Sequence, residues 1–123
     1  MEKPIILCYG IAAYETDRLE KLGRKFGSGI RRAALNEYSL PIAALAAGLP
    51  IQRAYDGKPL PEAMLVFVNF PEGMLDVFLS EMKKYRIAHG SLKAILTPHN
   101  AVWTPEQLYQ ELCRERAALS RKK

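Results

Sequence analysis

Three residues best suited to chemistry fall within four positions of one another, in the stretch LKAILTPHNAVWTPEQL at 92–108. His99 can serve as an acid–base group, Asn100 beside it can orient a reacting partner, and Thr97 offers a hydroxyl. Together they are the candidate catalytic residues of a small enzyme working at the turn 97–103. The same segment also has a purely structural account. Pro98 pushes Thr97 to an extended conformation and ends a strand, while Asn100 suits a left-handed or Asx turn. Thr104 can cap a helix and Gln107 can reach back to it, which completes a capping box. Pro105 then sits in the first helical position, and Trp103 and Leu108 form the jaws of a hydrophobic staple. Only His99 is left without a structural task.

Elsewhere the chemical signals are thinner. Cys8 with His89 or His99 makes a nucleophile–base pair on paper. Cys8 lies in an apolar run, however, where cysteine behaves as a small buried hydrophobe. Two cysteines and two histidines scattered over the chain have no zinc spacing, so neither a metal nor a cofactor is expected. YGIAAYETD carries one glycine rather than a phosphate cradle, and the Gly-x-Gly of FGSGIRR precedes a strand, the wrong context for one. Glu72 and Asp76, four apart, read as a solvated helix face. Gly10, Tyr14 and Asn69 lie where strands feed helices, a usual place for small-ligand clefts, and are the candidate ligand-binding residues.

The net charge of +5 is concentrated at the C-terminus, where residues 114–123 hold five basic groups and one acid. Arg121, Lys122 and Lys123 are the candidate nucleic-acid contacts. A basic end also complements a helix dipole and aids solubility, and no strand shows the aromatic pattern of an RNA-binding sheet. Nucleic acid is therefore not the expected partner. The apolar run near the N-terminus is too short to span a membrane. With two cysteines and no secretion pattern, a cytoplasmic location is expected.

Positioning these residues requires a single domain over 1–123. Its expected strands are Pro4–Ile11, Ile30–Leu35, Met64–Phe70 and Leu92–Thr97. A helix capped by Thr16 carries Leu19, Leu22 and Phe26 on one face, and another after Pro71 carries Leu75, Phe78, Leu79 and Met82. Pro41 opens a short helix, and the last helix is lined by Leu108, Leu112 and Leu119. Residues 49–63, with three prolines, form a connector, with a hairpin at Asp56-Gly57 as the alternative. Both halves read strand–helix–strand–helix, as half-repeats over about 4–48 and 64–113, with a basic tail at 114–123. Two uncharged strands in the middle and two charged ones outside suit a sheet with the first and third strands central. The expected fold class is α+β: a ferredoxin-like βαββαβ sheet with a pseudo-twofold internal duplication and two extra helices. A small flavodoxin-like α/β sheet is the alternative.

The pattern Lys93-Ala94, Thr97, Asn100, Trp103-Thr104, Leu108 resembles a small bacterial family known only as a domain of unknown function. Its members carry a similar K-A-x-x-T-x-x-N-x-x-W strand-to-helix signature. The likeness covers residues 64–113 well and the first half loosely. It implies a free-standing bacterial cytoplasmic protein and no particular activity or site. The expected function is a non-catalytic ligand-sensing or protein-interaction module that self-associates as a homo-oligomer and takes a small-molecule ligand. The alternatives are the enzyme above and nucleic-acid binding through the C-terminal tail.

Overall fold

Short, continuous apolar runs become strands covered on both faces. In the computed structural model, which describes residues 3–121, two such runs are β1 (Ile5–Tyr9) and β3 (Met64–Val68). They pair antiparallel at the centre of a four-stranded sheet. β2 (Gly29–Arg32) lies parallel outside β1, and β4 (Leu92–Ile95) lies parallel outside β3, giving the order β2-β1-β3-β4.

Alternation along the strands divides the core in two. Ile6, Cys8, Leu65 and Phe67 face α1 (Ala13–Lys25) and α3 (Glu72–Lys84), which bury Leu19, Leu22, Leu75, Phe78 and Met82 against them. Leu7, Tyr9, Met64 and Val66 face the other way. There they meet a 3₁₀ turn at Leu35–Ser39, α2 (Ile42–Ala46) and α4 (Pro105–Arg121).

This mixed α+β sheet does not have the expected ferredoxin-like order. In a split βαβ unit another strand separates the two parallel strands, whereas β1 and β2 here pair directly, as do β3 and β4. A β2–β3 hairpin would have set those strands side by side. The actual connection carries the 3₁₀ turn and α2 over one face and returns β3 to the free side of β1. The antiparallel centre likewise departs from an all-parallel flavodoxin-like sheet. Charge does separate centre from edge, with Arg31 and Arg32 on β2 and Lys93 on β4.

The two halves repeat bond for bond. Ile5 aligns with Gly29 as Met64 does with Leu92, an offset of 59 for the central strands and 63 for the edges. The four extra residues lie in the α3–β4 loop. At the end of α1, Gly27 N–H donates to Arg24 O and Ser28 N–H to Gly23 O. At the end of α3, Arg86 N–H donates to Lys83 O and Ile87 N–H to Met82 O, the same Schellman motif. Leu7 and Val66, equivalent residues, face each other in the register and mark the pseudo-twofold axis.

Several local expectations change. Ala12, not Thr16, is the N-cap of α1. Thr16 is buried one turn in, its hydroxyl donating to Ala12 O at 3.1 Å. β2 stops at Arg32 because the chain turns into the 3₁₀ segment. Leu119 is 67% exposed rather than core. The connector forms no hairpin and packs Ile51, Tyr55 and Leu60 on the second core. Most of the expected tail is the end of α4, which runs to Arg121. No helix among the described residues is long and apolar enough to cross a membrane.

Candidate functional site

β4 is a sheet edge; α4 packs on one of its faces, and the other face, carrying Lys93 and Ile95, is exposed beside α3. Along it runs a groove of about 530 Å³. Lys93, Ala94 and Ile95 form its floor, Leu75 and Leu79 of α3 one wall, and Leu108, Glu111, Leu112 and Glu115 of α4 the other. The turn carrying Thr97, His99, Asn100 and Trp103 closes one end. Leu92 N–H donates inward to Ala63 O at 2.9 Å and Leu96 N–H to Phe67 O at 3.0 Å. By alternation, the backbone groups of Lys93 and Ile95 point away from the sheet into the groove. The Ile95 side chain is 53% exposed.

The structure brings Thr97, His99 and Asn100 together at this end of the groove, but commits two of them to the turn. Thr97 N–H donates to Asn100 Oδ1 at 3.0 Å, and Asn100 N–H donates to Thr97 Oγ1 at 3.2 Å. Asn100 Nδ2 donates to Ile95 O at 3.0 Å. Asn100 is buried, and its carboxamide holds the end of β4 with both of its ends. The helix start after it forms as expected. Thr104 N–H donates to Gln107 Oε1 at 2.9 Å and Gln107 N–H to Thr104 Oγ1 at 3.3 Å. Trp103 and Leu108 both pack into the second core. His99 is exposed, its ring edge-on to Trp103 with centroids 4.9 Å apart.

The first half builds the same turn from different chemistry. Ala34 N–H donates to Glu37 Oε1 at 2.9 Å, matching the Thr97–Asn100 bond. A carboxylate cannot donate, so Arg31 supplies the missing N–H. Its guanidinium binds Glu37 and donates to Arg32 O at 2.7 Å, where Asn100 serves Ile95 in the second half. Arg31 holds the Glu37 carboxyl below its usual range. The Arg32 carbonyl at the end of β2 is thereby capped, as Ile95 O is at the end of β4.

Groove electrostatics are mixed. Partial desolvation lowers the pKa of Lys93, whose ammonium donates to Ser91 O at 3.1 Å. Glu111 is held by Arg114 at 3.0 Å, and Glu115 stands one turn further along α4.

The other candidates lie apart. Gly10 and Asn69 are equivalent left-handed residues, at φ 73° and 63°, after the two antiparallel central strands, and so lie at opposite ends of the sheet. Tyr14 projects from α1, 68% exposed. Asn69 borders a separate cleft of about 500 Å³ with Lys3 and donates to Lys3 O at 3.4 Å. Arg121 ends α4, and Lys122 and Lys123 lie outside the described residues. Nearer residues of the basic segment are paired, Arg114 with Glu111 and Arg116 with Glu62. Cys8 sits in the core with its thiol pushed up to about 12 by burial, while His89 and His99 are exposed, so no nucleophile–base pair forms. No three of the described His, Cys, Asp and Glu residues converge to hold a metal.

Lys93, Leu75, Leu79, Glu111 and Glu115 line the groove although no local motif marks them as site residues. The available signal was positional: β4 is a short, charged edge strand ahead of the longest helix. No curated protein and no solved structure matches the chain. Residues 63–119, the second half-repeat that builds both the groove and its closing turn, match the family described as a domain of unknown function, DUF3783.

Proposed function

We propose that the protein is a non-catalytic cytoplasmic interaction module whose β4 edge takes an extended segment of a partner polypeptide as an added strand. The supporting observation is the groove that lies against the outward backbone groups of β4. The last outward carbonyl of each edge is covered alike, Arg32 O by the Arg31 guanidinium and Ile95 O by Asn100 Nδ2. On β4 the outward groups of Lys93 and the N–H of Ile95 face a groove of about 530 Å³ with apolar side chains on both walls. Strand addition needs this arrangement: free ladder positions for affinity and flanking pockets for alternate side chains. An enzyme at the same turn is not favoured, because Thr97 and Asn100 are spent on its own hydrogen bonds.

The test is Ile95→Pro. Proline is tolerated at an edge where its missing N–H faces outward, so the ladder to β3 is kept while a docking donor is lost. Trp103 is the lone tryptophan and borders the groove, so its emission reports occupancy. Partner segments captured by the wild type should shift that emission and bind Ile95→Pro at least tenfold more weakly. Equal binding to both forms overturns the proposal. Self-association is proposed at the same edge, with a strand of a second copy as the occupant. Sedimentation at rising concentration should then show a dimer that Ile95→Pro abolishes.

A further inference from the structure

Side chains of an added strand alternate between the two faces of the sheet it joins. The groove's charges are also divided between those faces. Lys93 pairs with Leu65 and Ile95 with Phe67, both in the core under α1 and α3, so Lys93 stands on the α3 side. Ala94 pairs with Val66 of the second core, and Glu111 and Glu115 belong to α4, which covers that side. Glu111 already holds Arg114, which leaves Glu115 as the acid on that wall with no ion pair among the described residues. The Lys93 ammonium is engaged with a neutral carbonyl, Ser91 O, and with no carboxylate among the described residues.

From this division, and resting on the strand-addition reading above, we propose that the bound segment is an apolar extended peptide carrying one acidic and one basic residue an odd number of positions apart. The odd spacing sends the acid toward Lys93 and the base toward Glu115. An even spacing puts both on one face, where one of them meets a like charge or apolar wall. Cross-strand charge pairs are individually modest and like-charge placement is unfavourable. Parity therefore acts on selection among segments, while apolar contacts and ladder bonds supply most of the affinity.

Two acetylated, amidated octapeptides of identical composition test this. Thr-Val-Glu-Leu-Val-Arg-Val-Thr places the charges three apart, on opposite faces, and Thr-Val-Glu-Leu-Arg-Val-Val-Thr places them two apart, on one face. Titration followed by Trp103 emission should show the first binding about fivefold more tightly at low salt. The preference should vanish in the Lys93→Met, Glu115→Gln double variant and shrink as salt screens the pairs. Ile95→Pro should weaken both peptides alike. Equal binding of the two peptides to the wild type overturns the charge assignment and leaves strand addition standing. Binding of neither peptide, or binding that Ile95→Pro does not weaken, overturns strand addition itself.

Discussion

Gly27 and Arg86 occupy equivalent left-handed positions at the ends of α1 and α3, with φ 71° and 53°, yet only one of them is glycine. A side chain at such an angle crowds the following carbonyl and costs about 1 kcal/mol. A Cβ on Gly27 would meet no atom within 4 Å, so conformation is its whole cost there. Arg86 is exposed, and its carbonyl rather than its side chain receives Arg18. Urea unfolding should therefore show Gly27→Ala destabilised, and Arg86→Gly stabilised, by about 1 kcal/mol each. The Asn100 carboxamide and the Glu37–Arg31 pair make the same point in polar form. One turn needs an acceptor and a donor, and the two halves meet that need with one residue or with two.

Among the elements, α4 and the connector depend on each other. Glu62 accepts two bonds from Arg116, at 3.0 and 2.8 Å, and one from Tyr109 at 3.0 Å, which ties the connector's end to the middle of α4. Arg116 first, and Tyr109 second, lower the Glu62 pKa from its usual 4.5 to about 2. A depressed carboxylate contributes stability above its unfolded pKa and loses it as pH falls through the folded one. The tie should thus be complete at neutral pH and weaken between about 4.5 and about 2. Amide exchange over residues 51–62, taken relative to the intrinsic rate at each pH, should accelerate across that window. In Glu62→Gln it should already be fast at neutral pH, with this acid-dependent step gone. An unchanged exchange profile in the variant would show that the connector is held by Tyr55 and Leu60 packing alone.

At the scale of the whole molecule, the sheet is two βαβ units joined back to back. The β1–β3 register sets equivalent residues symmetrically about Leu7 and Val66, which is the geometry of a twofold dimer written into one chain. A fragment beginning at residue 60 retains β3, α3, β4 and α4 but exposes the apolar edge that β1 covers. Such an edge pairs with another strand. The fragment should sediment as a dimer through β3, with Val66 near its axis, and Val66→Lys should return it to a monomer. A folded, monomeric fragment would show that the first half is needed for more than edge protection. In the full chain this join is internal, and the sheet's outer strands are β2 and β4.

Much of this was set by the one-dimensional pattern. Apolar runs at Ile5–Tyr9 and Met64–Val68 could only be central strands, the charges of Arg31, Arg32 and Lys93 sent β2 and β4 outward, and Thr104 to Leu108 spelled out a helix start, because each depends on neighbours within a few residues. The sequence also contained the doubling. It did not contain the choice between pairing β1 with β2 directly and splitting them. Charge marks an edge without saying which centre it joins, and that choice rests on how the segment from Ala33 to Ala63 crosses the second face. The groove was hidden for the same reason. Leu75, Lys93 and Glu115 carry no shared local signature and become neighbours only when the fold sets α3 and α4 beside the edge strand β4.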